Sequence, residues 1–177
     1  MSSVGYVRKL PYPGFAGDDG SADPRVSAAL LSYRGGGSRV EALSALAASR
    51  VLVAVLAVAE DPPPGRPEQR GDTSMAALLL RGRDGRTALL AFTSLAALGS
   101  YSTQARPVPL SFRDAAQAAL AEGAAALVVD IAGPVALVVE GGDLAHVAAG
   151  HRAVDAGTGP AWAVPVGTAE EGGAAAG

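Results

Sequence analysis

Cysteine is absent from the 177-residue chain, which excludes disulfides, thiolate metal sites and cysteine nucleophiles. Lysine is nearly absent as well: Lys9 stands alone among 14 basic residues, and the bias toward arginine and alanine reads as the codon usage of a GC-rich genome. Aromatic residues make up 5% of the chain and the net charge is -3, so there are few rings for base stacking and no broad cationic field for phosphates. Nucleic acid is not an expected partner. Long apolar runs are also missing. The longest, Val51 to Ala59, is about half of the ~20 residues that a membrane helix needs. The amino terminus breaks into Pro11, Pro13 and Gly14 before a signal-type apolar run can form. A cytoplasmic protein with no membrane partner is expected.

What is present is a core. Hydrophobic residues reach 49% against 18% charged, a balance that disordered chains do not have. The chain divides into a flexible N-terminal arm over 1–22, one domain over 23–150 and a flexible tail over 151–177, because the two ends lack periodic apolar faces. Asp23-Pro24 is a helix start, with Asp as N-cap and Pro at N1, followed by Val26, Leu30 and Tyr33 on one stripe. Ser38 with Glu41 forms a capping box ahead of Val40, Leu43 and Ala47. Val51 to Val58 is a continuous β-branched and aliphatic run suited to a central strand. The Pro- and Arg-containing stretch 61–72 reads as a solvated loop.

Met75 to Arg81 and Arg86 to Phe92 flank Asp84-Gly85, a hairpin signal for a type I′ turn with positive φ at both central residues. Phe92-Thr93-Ser94 then opens a short helix expected to end at Gly99, and Pro107 and Pro109 hold 106–110 as an extended connector. Ser111 with Asp114 caps a helix that points Phe112, Ala116 and Leu120 one way. Leu127 to Ile131 and Val135 to Glu140 read as an antiparallel pair around Gly133-Pro134, and Asp143 as the cap of a last helix, Leu144 to Ala149. The order αα-βββ-α-α-ββ-α predicts an α+β fold, a largely antiparallel or mixed five-stranded sheet with helices packed on it.

The central strand, the Met75 to Phe92 hairpin with Phe92-Thr93-Ser94, and the Leu127 to Glu140 pair together resemble the SseB N-terminal-domain family, sometimes labelled enhanced serine sensitivity proteins, in a GC-rich, actinobacterial-type branch. The resemblance covers roughly 23–150. It carries no activity, catalytic residue or cofactor onto positions of this chain.

Candidate chemistry is sparse. Thr93 and Ser94 precede a helix start whose free amides could hold an anion, with Arg81, Arg83 and Arg86 as counter-charge; capping and a solvated strand edge are the competing roles. Gly35-Gly36-Gly37-Ser38 lacks the strand and lysine of a phosphate loop. Asp18-Asp19-Gly20 with Asp23 lacks calcium-loop spacing and reads as a turn. His146 and His151, about 140° apart on an ideal helix and separated by Gly150, are not expected to converge on a metal. Asp130 and Glu140 read as isolated surface or structural carboxylates, and Arg70-Gly71-Asp72 as a chance tripeptide. With no catalytic constellation, metal or cofactor indicated, the expectation is a non-catalytic interaction or regulatory domain. Its partner would be another protein, a second copy of the chain included. A sensor of small anions at Thr93-Ser94 is the alternative.

Overall fold

The computed structural model describes residues 3–6, 15, 17–59, 73–157 and 159–165. In chain order the elements are β1 (Ser3–Tyr6), α1 (Pro24–Arg34), α2 (Arg39–Ala47), β2 (Arg50–Ala59), β3 (Thr73–Arg81), β4 (Thr87–Phe92) and α3 (Leu95–Tyr101). There follow β5 (Arg106–Ser111), α4 (Phe112–Ala121), β6 (Ala126–Val129), β7 (Leu137–Glu140), α5 (Gly141–Ala149), β8 (Arg152–Asp155) and β9 (Pro160–Ala163).

The helices begin where side chains satisfy their free amides. Asp23 accepts from the Arg25 amide at 2.8 Å, Ser38 from Glu41, Ser94 from Ala97 at 3.0 Å and Ser111 from Asp114 at 3.0 Å. α5 departs from this pattern: Glu140 is its N-cap and makes no side-chain capping bond, while Asp143 points elsewhere. α3 runs through Gly99 to Tyr101 instead of stopping at the glycine. On α4 the buried face is Phe112, Ala115, Ala116 and Ala119, and Leu120 is exposed. Eight residues at 100° each leave Leu120 about 80° from Phe112, so the expected stripe drifts off the core.

Seven strands form one sheet in the order β1-β3-β2-β4-β6-β7, with β5 paired to β2 and a further β3–β4 pairing. The α+β class and the mixed sheet agree with the sequence, whereas the strand count rises from five to seven because β1 and β5 join. β5 is the stretch read as a connector: Leu110 lies opposite Val51 and Val108 opposite Val53. Pro107 and Pro109 have no N–H to donate, so the residues alternating with them carry the donors, and the strand sits at an edge. β4 and β6 run parallel, from Ala88↔Ala126 to Ala91↔Val129; the other pairings are antiparallel. The β3–β4 turn is not type I′. The Gly85 amide donates to Gly82 at 3.1 Å, only Gly85 (φ +81) is left-handed, and Gly82 N–H closes onto Arg86 O at 2.8 Å. That is a type I turn followed by a left-handed glycine.

The main core lies between one face of the sheet and helices α1, α2, α4 and α5, around Val26, Leu43, Phe112, Leu127 and Leu144. The other face carries a smaller cluster, Leu52, Leu78, Leu90 and Phe92, covered in part by α3 through Leu98 and Tyr101. The described parts of both terminal segments make contacts with the domain. β1 pairs with β3, and Asp18, Gly20 and Ser21 are tied to Arg50 and Leu95. β8 and β9 form a hairpin that packs Ala153 and Trp162 onto the main core. The 61–72 loop, with Arg70-Gly71-Asp72, lies outside the described residues, as does the tail beyond 165.

Candidate functional site

The parallel pair β4 and β6 delivers two chain ends side by side, Phe92-Thr93 and Val129-Asp130. Carboxyl ends of neighbouring parallel strands are where open sheets leave a crevice, since the chain must depart in different directions. Here the departures are α3 on one side and the 130–136 turn on the other, and α1 closes the third side. The cleft between them has a volume of about 350 Å³. Leu30, Leu31, Ala97, Pro134 and Val135 supply its apolar walls, and Ser27, Ser94, Ser100, Thr93 and Asp130 its polar groups.

Asp130 is the residue that sequence reading missed. It is 7% exposed and adopts φ +53, the one left-handed non-glycine residue among those described. Its Oδ1 accepts the Thr93 amide at 2.8 Å and its Oδ2 accepts the Thr93 hydroxyl at 2.7 Å. Its own amide donates to Ala91 O at 3.0 Å, so both main chain and side chain bind the end of β6 to the end of β4. Burial pushes the Asp130 carboxyl above its ordinary range, and the two hydrogen bonds from Thr93 oppose that rise. Among the described residues no cation stands against it: its side-chain partner is the neutral Thr93.

Arg50, at the start of β2, locks the cleft from behind. Its guanidinium donates to the Asp18 carboxylate, to Ser21 O at 2.7 Å and to Thr93 O, with a side chain only 9% exposed. The pairing holds Asp18 below the usual carboxylate range, the hydrogen bond from Arg50 being the main cause. Gly20 follows in an Asx turn, its amide 2.8 Å from Asp18 Oδ1, and its carbonyl accepts the Leu95 amide at 2.8 Å. A Cβ on Gly20 (φ +79) would lie 2.2 Å from Leu95 Cδ1, so glycine is required for that approach. The Asp18-Asp19-Gly20 stretch is thus a turn, as expected, and one that is fastened to the domain.

The sequence candidates separate in space. Thr93 and Ser94 lie in the cleft, but Arg81, Arg83 and Arg86 are exposed at the opposite end of β4. At ~3.3 Å per residue that separation is roughly 20 Å. Arg86 pairs there with Asp84 at 2.6 Å and Glu140 at 2.9 Å. Three amides at the start of α3 are engaged as well, Thr93 with Asp130, Leu95 with Gly20 and Ala97 with Ser94.

A second cluster joins α2, α5 and the C-terminal hairpin. His146 and His151 do converge, Nδ1 to Nδ1 at 2.8 Å, because Gly150 (φ +78) turns the chain back over the end of α5. Trp162 stacks on His146 with ring centroids 5.2 Å apart and donates from Nε1 to Asp143 Oδ1 at 3.0 Å. Asp143 Oδ2 pairs with Arg39 at 3.2 Å, which explains why it does not cap α5. Among the described residues no group of three metal-ligating side chains gathers, and no helix is long and apolar enough to cross a membrane.

Among known proteins, no curated protein and no solved structure matches the chain. The family model of the SseB protein N-terminal domain matches residues 26–146, a span that contains both strand ends under the cleft, and the chain belongs to that family.

Proposed function

We propose that this SseB-family domain is a non-catalytic interaction or regulatory module of the cytoplasm that docks a partner protein in the cleft over Asp130. The observation that carries the reading is a buried carboxyl at the floor of an apolar-walled cleft, without a cation among the described residues, and with Leu31 55% exposed at the rim. Its volume falls within the ~300–1,000 Å³ of binding pockets, in which a few polar groups set specificity among apolar walls. Catalysis has less support, because Asp130 is the one titratable side chain lining the cleft among the described residues, and both histidines belong to the other cluster. The anion-sensor reading is weaker too: Asp130 occupies the place where an anion would meet Thr93. The scarcity of lysine supports a GC-rich bacterial source of the actinobacterial type.

The test is affinity capture from source-cell lysate with the full chain, its Leu31→Gln variant and an Arg83→Ala control. Proteins held by the wild type and the control but lost with Leu31→Gln support docking in the cleft. Identical capture by all three contradicts it, and capture of the chain itself would make the partner a second copy.

A further inference from the structure

We infer that the cleft recognises a lysine side chain of the partner, the ammonium group meeting Asp130 and the methylene stem lying along Leu30, Leu31, Ala97 and Val135. The inference rests on the proposed docking role and adds to it the chemistry of what docks. An ionised carboxylate offers about four lone-pair positions over its two oxygens. Thr93 fills one on each, with its amide at 2.8 Å and its hydroxyl at 2.7 Å, as a fork-shaped donor would. The planar guanidinium of arginine needs that same two-oxygen edge, whereas a compact ammonium needs one free position on one oxygen and directs its other hydrogens to neighbouring acceptors. Ser27, Ser94 and Ser100 line the same cleft, Ser94 Oγ accepting the Ala97 amide at 3.0 Å and Ser100 Oγ donating to Ala96 O at 2.9 Å. Among the described residues no basic side chain lines it, so a cation entering from outside would supply the counter-charge that these residues do not. Apolar walls leading to a charged floor match the build of lysine, an aliphatic stem with a charged tip.

The probe is Nα-acetyl-lysine methylamide, titrated into the full-length ¹⁵N-labelled chain, with the Nε-acetylated analogue in parallel. The expected result is a saturable millimolar shift of the amides of Thr93, Ser94 and residues 130–135. It should be absent with the acetylated analogue and at least tenfold weaker in Asp130→Asn. Asparagine tolerates the left-handed backbone of position 130 and keeps an acceptor for the Thr93 amide. Should that variant misfold, the wild type gives the same answer through pH, because affinity for the ammonium probe must fall as acid protonates Asp130. Equal shifts with both probes, no saturable shift, or affinity unaffected by both Asp130→Asn and acid would overturn the inference. The two readings fail separately. A probe that does not bind, while Leu31→Gln still abolishes capture, removes lysine and leaves docking; a probe that binds while capture ignores Leu31 removes docking and leaves the ammonium site.

Discussion

The Thr93 hydroxyl lies 2.7 Å from Asp130 Oδ2, a contact between residues 37 positions apart that joins the ends of the two parallel strands. Every polar group of Thr93 is engaged, its amide and hydroxyl by Asp130 and its carbonyl by Arg50. Thr93→Val keeps the shape and removes the hydroxyl, leaving Oδ2 of a buried carboxyl without a partner. A loss of about 1–3 kcal/mol is expected in chemical denaturation, the usual cost of an orphaned buried acceptor. Wild-type stability would mean that water replaces the hydroxyl at no cost.

Asp130 also sets a pH dependence. Its folded carboxyl is raised by burial above the ordinary 3.8, so the folded state holds the proton more tightly than the unfolded chain. Its contribution to stability therefore declines as pH rises from 3.8 through the raised value, then stays level. Asp130→Asn carries no such penalty, and its stability relative to the wild type should improve over that window in denaturation curves taken from pH 3 upward. Asp18 acts in the opposite sense: held low by Arg50, it adds stability above 3.8 that is lost as pH falls through its depressed value. A relative stability of Asp130→Asn that declines with rising pH would show that the sign is wrong.

Removing 1–22 should destabilise the domain, because the deletion takes away β1 together with Asp18 and Ser21, two of the three partners of Arg50. Arg50→Ala alone should cost about 1–3 kcal/mol, the scale of charge-assisted hydrogen bonds on a mostly covered side chain. An unchanged thermal midpoint for both proteins would return the arm to the flexible role that its composition suggests.

Trp162, the single tryptophan, reports on the C-terminal hairpin. Trp162→Ala should lower stability by about 2 kcal/mol, from half-burial of a large ring at ~25 cal/mol per Å². His146 stacks on that ring, so His146→Ala should shift tryptophan emission at neutral pH. Emission unchanged in His146→Ala would show that the two rings do not stack in solution.

The helices were legible because their starts are written locally: Asp23 before Pro24, Ser38 three residues before Glu41, and Ser111 before Asp114. The α+β class followed from strands in blocks, and the β6–β7 pairing from a short connection. β5 was missed because two prolines in six residues suppress a strand signal that an edge position tolerates. Asp130 looked like an isolated surface charge because its burial depends on β4 and β6 being parallel neighbours, which no local period encodes. The His146–His151 contact was hidden for a related reason. Ideal-helix geometry separates the two rings, and the left-handed Gly150 that reunites them reads in sequence only as a helix stop.

The central claim is that partners meet this domain at the cleft over Asp130. It is tested most directly by placing a photo-crosslinking amino acid at position 31, on the cleft rim, and separately at position 83, on the far hairpin, in the living source cell. The account predicts a discrete covalent adduct from position 31 and none from position 83. An adduct from position 83 alone, or none from position 31, would contradict it.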